Sequence, residues 1–427
     1  MHSNQNSSVH SLPGPEDIFR QQLPNGMIVL SRANFNSPSV VVQGYLQAGG
    51  LFDLDDKLGL ADFTASALMR GTQRRSFQQI YDTLESAGAS LGVGGGVHTV
   101  TFSGKALAED LDLLLGLAAE ILRAPIFPEE QVERLRGQLL ASLAIRAQDT
   151  GEMASLAFDQ LVYRGHPYSR PEEGFPETIQ TIKQADLLDF HRRYYGPLGM
   201  ALVIVGAVEP AQAMEKANRV LGDWQNPAQP QPPELPPVQP LDGMVSRKVV
   251  ISGKSQTDLV MGAAGPRRAS PDYYAASLGN NILGQFGMMG RIGEVVREKA
   301  GLAYYAGSSL SGGIGPGPWQ VSAGVDPQNV ERAVDLIRQE IRRFVSQTVE
   351  AEELADSQAN YIGRLPLSLE SNAGMASALI NLERYGLRLD HYQHYAELIR
   401  SVTVDQVLQA ARTYLDPDCL AVAVAGP

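Results

Sequence analysis

Arg297 and Tyr304 stand seven positions apart in residues 284–313, GQFGMMGRIGEVVREKAGLAYYAGSSLSGG, across a predicted helix-to-strand corner. A guanidinium offers five donors in a fixed fork, and a phenol offers a hydroxyl that polarises a carbonyl oxygen. Neither group is a nucleophile at neutral pH, so a site built on them holds and polarises what another group attacks. The stretch opens on a glycine-rich turn. It continues as a predicted helix carrying Arg291, Glu294, Arg297 and Glu298, then breaks at Ala300-Gly301 ahead of Tyr304 and Tyr305. The plainer reading is a solvated Arg–Glu helix pair, worth a few tenths of a kcal/mol, beside core aromatics.

Other catalytic groups are sparse. The seven histidines, among them His98, His166, His191, His391 and His394, form neither H-E-x-x-H nor H-x-x-E-H. His391 and His394 could share a helix face, but two imidazoles without a third ligand do not make a metal site. Lys248 occupies the glycine position that a phosphate loop ending in Gly253-Lys254-Ser255 would need, and no serine sits in a G-x-S-x-G elbow. Cys419 is the single cysteine, which excludes an intrachain disulfide and a cysteine-rich zinc site.

These groups must be carried by more than one core, because 427 residues exceed an ordinary single domain. With 44% hydrophobic and 19% charged residues the composition is globular, and a net charge of −12 disfavours nucleic acid or an anionic membrane as partner. The polar start MHSNQNSSVHSLPGPED has no apolar core of a secretory signal, and no apolar run reaches the ~18 residues of a spanning helix. The chain reads as cytoplasmic, with an already trimmed periplasmic form as the other reading.

Taken in order, residues 18–34 predict a hairpin around Asn25-Gly26, followed by a second β run at 37–50. Helical spacing covers 58–70, 76–85, 105–123, 129–146, 183–195 and 210–221, with strands at 89–104 and 200–208. Residues 225–240, QNPAQPQPPELPPVQP, are a stiff Pro/Gln-rich linker near the midpoint. The apolar stripe Leu111, Leu114, Ala118, Ile121, Leu122 recurs 223 positions later as Val334, Ile337, Ile341, Phe344, Val345, and Glu130 recurs as Glu353. That repeat points to duplication. The expected organisation is an N-terminal domain at 16–224, the linker at 225–240 and a related C-terminal domain at 241–427. Hairpins mixed with helices, without βαβ alternation, make the class α+β.

From about Asn25 onward the chain resembles the pitrilysin/insulinase-like metallopeptidases of the short, two-domain bacterial type. NGMIVL, AGGLFD with GLADFTASALMRGT, HPYSRPEEGFPETI, FHRRYYGP and LVIVGAV carry the likeness in the first half. KSQTDLVMGAAGP, SPDYYAASLGNNILG and MGRIGEVVREKAGLAYYAGS carry it in the second. The resemblance implies two tandem domains, each an antiparallel sheet of about six strands with helices packed on it, facing a chamber for unfolded peptide.

At the positions where zinc-binding members carry H-x-x-E-H, this chain has Asp62, Phe63, Thr64, Ala65 and Ser66. Both ligand histidines and the general-base glutamate are replaced, and no glutamate lies between Glu133 and Glu152 to serve as third ligand. Arg297 and Tyr304 match the pair with which the family binds a substrate carbonyl opposite the zinc. The resemblance therefore implies a zinc-free subunit that does not cleave peptides alone. It would supply Arg297 and Tyr304 to a partner bearing H-x-x-E-H and zinc, in a heterodimer or by self-association. The alternative is a non-catalytic scaffold or peptide-binding protein with the same fold.

Overall fold

The structure is a computed structural model that describes residues 12–287 and 290–427. The first eleven residues of the polar start, and Met288-Met289 in the glycine-rich turn, lie outside the described residues.

The first half begins with the expected hairpin, β1 (Phe19–Gln22) and β2 (Ile28–Ala33), turning at Gly26 with φ of 91°. Then come β3 (Ser39–Leu46), α1 (Leu60–Ala67), α2 (Phe77–Ser86), β4 (Ser90–Gly94) and β5 (Val100–Leu107). Helices α3 (Leu111–Arg123), α4 (Glu129–Arg146), α5 (Thr150–Val162), α6 (Pro176–Thr181) and α7 (Gln184–Tyr194) follow, and β6 (Ala201–Gly206) and α8 (Pro210–Leu221) close the half. The helix expected from residue 105 starts later. Val100, Phe102, Gly104 and Ala106 alternate inward with exposed neighbours, so strand periodicity runs on through Leu107. The sheet order is β1-β2-β6-β3-β5-β4, antiparallel except for the parallel pair β2–β6. Strand β6 is buried at every residue, which is why its sequence is a continuous apolar run rather than an alternating one.

No helix or strand is assigned between Leu221 and Val245. The second half then repeats the plan: β7 (Val245–Val250), β8 (Thr257–Ala264), α9 (Tyr273–Gly284), a helical turn α10 (Gly290–Ile292) and π-helical residues Gly293–Lys299. It continues with β9 (Ala303–Leu310), β10 (Pro318–Val325), α11 (Val330–Ser346), α12 (Ala351–Leu369), α13 (Asn372–Arg384), α14 (Tyr395–Arg400), α15 (Val404–Tyr414) and β11 (Ala421–Gly426). The order β7-β11-β8-β10-β9 matches the first sheet strand for strand, including one parallel pair, but has no counterpart of β1. The α+β class with two related domains holds, with mixed sheets of six and five strands rather than two purely antiparallel ones. In each half the last strand is the parallel one, β6 beside β2 in the first and β11 beside β7 in the second.

Each sheet packs its own helices on one face. Leu111, Leu114, Ala118, Ile121 and Leu122 of α3 enter the first core, and Ile337, Ile341 and Phe344 of α11 enter the second. The other faces are covered by exchange. Helix α13 lays Met375, Ala376 and Leu379 on Val41, Val203 and Val205 of the first sheet. Helix α5 lays Ala154, Ala157 and Phe158 on Val260, Ala421 and Ala423 of the second. Arg20 Nε and Nη2 donate to Glu383 at 2.8 and 3.0 Å, and Asn372 Nδ2 donates to the Ser39 carbonyl at 3.1 Å, which pin α13 in place. Neither half buries both faces of its sheet without the other.

Candidate functional site

Asp53 sets the start of α1. Its carboxylate accepts from the Gly59 and Ala61 amides, both at 2.9 Å, while Gly59 takes the left-handed φ of 90° that brings the chain into the helix. Burial pushes this carboxyl up to about 7 against the pull of those amides. Asp62 and Ser66, on successive turns, are half-buried, whereas Ala65 is wholly buried in the first core. A Cβ on Gly95, in the turn after β4, would come within 2.7 Å of the Asp62 Cα, so this one of the four glycines at 92–96 is required by close approach. Burial, then Glu173 and Glu172, push the Asp62 carboxyl up to about 6. Arg146 of α4 donates to Glu173 at 2.9 Å and to the Gly174 carbonyl at 2.9 Å, spending its charge on that loop.

This donor set does not fit zinc. It offers one carboxylate inclined to hold its proton and one hydroxyl. The facing helix α4 carries no glutamate beyond Glu133, and its Ser142 is exposed. Among the described residues no group of three or more His, Cys, Asp or Glu is placed to hold a metal ion. His391 and His394 lie in a turn instead of sharing a helix face. The Nε2 of His391 is 2.8 Å from the Tyr274 hydroxyl, and His394 pairs with Glu397 at 3.2 Å.

Arg297 and Tyr304 lie in the second half, on the corner between the π-helical residues and β9. Arg291 anchors that corner through a two-pronged contact with Glu353 of α12, Nε–Oε1 2.8 Å and Nη2–Oε2 2.5 Å. The predicted helix over this stretch is π-helical from Gly293, a geometry that recurs at functional sites. It ends at Lys299, and Gly301 just beyond takes the left-handed φ of 63°. Arg297 is half-exposed, 3.6 Å from its neighbour Glu298. Tyr304 is the extra residue of a β-bulge. Tyr305 pairs with Gly324 and Ala303 with Val325, leaving Tyr304 without an opposite residue. A bulge re-aims the side chain it carries, and Tyr304 is 75% exposed. No hydrogen bond to its hydroxyl is found among the described residues. Tyr305 is spent otherwise, donating to Asp258 at 2.7 Å beside Thr150 of α5. The alternation of β9 separates the two tyrosines; the bulge that frees Tyr304 depends on β10 and had no signal in the sequence.

These features carry a family. The model described as Insulinase (Peptidase family M16) matches residues 28–172, and that described as Peptidase M16 inactive domain matches residues 181–361. The chain belongs to the M16 insulinase family. An uncharacterized zinc protease of Streptomyces coelicolor is 23% identical over 93% of this chain and 87% of its own length, and one of Rickettsia bellii is 23% identical over 96% and 98%. A protein of Arabidopsis thaliana named probable mitochondrial-processing peptidase subunit beta is 24% identical over 50% of this chain and 40% of its own. A crystal structure of a peptidase M16 inactive domain from Pseudomonas fluorescens superposes with TM-score 0.88 at 25% identity, covering 96% of this chain and 98% of that one. A protease from Helicobacter pylori shares the fold, with TM-score 0.88 at 18% identity.

Among the described residues no helix is long and apolar enough to cross a membrane.

Proposed function

We propose that this chain is the zinc-free subunit of a two-subunit M16 endopeptidase, dividing at the proline-rich linker 225–240 into a domain with an erased metal site and a domain with a working carbonyl-binding pair. The observation that carries this reading is the asymmetry between the two. At Asp62, Ala65 and Ser66 the donors for zinc and the general base are missing together. At Arg297 and Tyr304 a guanidinium and a phenol are offered outward, with no partner for the phenol hydroxyl among the described residues.

In this division of labour the partner's H-x-x-E-H helix would hold the zinc, which would supply polarisation of the carbonyl and an activated water. This chain's own residues position and stabilise. The Tyr304 hydroxyl donates to the carbonyl oxygen as negative charge develops there, and the Arg297 fork holds the peptide backbone beside it. The name of the Arabidopsis relative, a subunit, is in keeping with this assignment.

The test mixes this chain with an H-x-x-E-H partner and follows cleavage of an unstructured peptide. Tyr304→Phe and Arg297→Ala each lower kcat/KM by on the order of a hundredfold. Unchanged turnover for both variants overturns the assignment. A scaffold that binds peptide without serving a peptidase is the second reading, supported by the donor-poor surroundings of Asp62. It predicts that no mixture with a zinc-bearing relative gains activity.

A further inference from the structure

Residues 304 and 305 are both tyrosines, yet only Tyr304 leaves the β9 ladder. The local sequence does not decide between them, because a bulge slipped by one residue would extrude Tyr305 and return Tyr304 to pairing. The choice is made across the sheet. Tyr305 lies opposite Gly324 of β10, and Gly324 lies opposite Asp258 of β8, so the three form one row. That row is on the face α5 covers. Val260, on the same side of β8 as Asp258, shares an apolar cluster with Ala157 and Phe158 of α5.

The Tyr305 ring crosses the middle of the row because Gly324 has no side chain. A Cβ there would fall 2.6 Å from Tyr305 Cε1, 2.5 Å from Gln256 Nε2 and 3.0 Å from Asp258 Oδ1. The Tyr305 hydroxyl donates to Asp258 Oδ1 at 2.7 Å, and the same oxygen accepts from Gln256 Nε2 at 2.9 Å. The other oxygen, Oδ2, accepts from the hydroxyl of Thr150, the first residue of α5 and part of the first half. Asp258 is 5% exposed, so its oxygens depend on these donors in place of water. Burial, and then the bond to Asp258, push the Tyr305 hydroxyl up, so it stays a neutral donor. Extruding Tyr305 would take a donor from this buried carboxylate, a penalty that extruding Tyr304 does not carry.

We propose that Asp258, seated by Thr150 of the first half, is a positioning residue that holds Tyr305 over Gly324 and so selects Tyr304 as the side chain offered to the substrate carbonyl. The inference rests on the carbonyl-binding role assigned above to Tyr304. It also gives the exchange of helices a part in that role. The second half alone keeps β9 and β10 but loses the Thr150 donor on Asp258, so the aim of Tyr304 depends on α5 being in place.

Two readouts test this. In the full chain labelled with 3-fluorotyrosine, the Tyr304 fluorine resonance is assigned by its absence from Tyr304→Phe. It is a single line in the parent and splits or broadens in Tyr305→Phe, as the two residues come to share the extruded position. A Tyr304 line unchanged in position and width overturns the proposal. In the two-subunit assay Tyr305→Phe lowers kcat by about tenfold with KM unchanged, the mark of a misplaced transition-state donor. Added to Tyr304→Phe it costs nothing further, whereas an equal loss in both backgrounds overturns the proposal. Asp258→Asn keeps an acceptor for Tyr305 and stays close to the parent in both readouts, while Asp258→Ala follows Tyr305→Phe. The fluorine measurement needs no partner and no turnover. If Tyr304→Phe is silent in the assay, the subunit assignment falls and the resonance still decides the clamp. If Tyr304→Phe costs its hundredfold and Tyr305→Phe costs nothing, the clamp falls and the assignment stands.

Discussion

The corner at Arg297–Tyr304 and the first turns of α1 at Asp62–Ser66 belong to two halves built on one plan, yet they have opposite chemistry. At Asp62 the chain has closed in: Gly95 presses on the helix, Ala65 is sealed in the core, and burial with nearby carboxylates favours the protonated acid. At Tyr304 the chain has opened out, because the bulge removes the residue from the ladder and turns it to solvent. A polar group without a protein partner is costly when buried and nearly free of cost when exposed. Accordingly Ala65 adds no donor inside the first core, while the Tyr304 hydroxyl stands open to solvent in the second half.

The largest test separates the halves. Residues 12–240 alone expose the sheet face that α13 covers, and the remainder exposes the face that α5 covers. Neither fragment gives a cooperative thermal transition, and dye binding reports the uncovered apolar surface. A fragment that melts cooperatively would show that the exchange is dispensable. Next in size are Tyr304→Phe and Arg297→Ala in the two-subunit assay, each about a hundredfold down in kcat/KM with unchanged melting.

Glu353→Ala sharpens the comparison by loosening the corner without touching the pair. It leaves Arg291 buried with only the more distant Glu340, 3.8 Å away, and destabilises the chain by about 1–3 kcal/mol in denaturant unfolding, since Glu353 is partly solvated. The smallest effect is at Asp62. The Asp62 carboxyl is raised in the folded state, so its contribution to stability is fully present below about pH 4, is lost as pH rises through about 6, and is absent at pH 8. Asp62→Asn therefore raises stability at pH 8 by on the order of 1–2 kcal/mol and flattens that part of the Tm–pH curve. A variant less stable than the parent at pH 8 would mean that the Asp62 charge has a partner.

Much of this was legible in the chain, for identifiable reasons. The stripe on α3 and its echo on α11 are local periodicities, which survive in one dimension. The capping pair Ser76 and Gln79 starts α2 within a residue of expectation, each side chain bonding the other's backbone amide. Helix α5 has no counterpart among the expected elements, because Thr150–Val162 packs its apolar face on a sheet from the other half. The helix expected from residue 105 began six residues early, because Lys105 and Leu107 alternate outward on β5.

By itself the sequence determined which groups exist: no H-x-x-E-H, one Arg–Tyr pair seven apart, and two halves that repeat at a spacing of 223. Residue identity and short-range period are properties of the chain alone. Tertiary structure decided which groups are free to act. Strand β10 made Tyr304 a bulge, the β4 turn closed over Asp62, and the seating of α5 brought Thr150 to Asp258. Those outcomes rest on contacts between residues far apart in sequence, which no local pattern encodes.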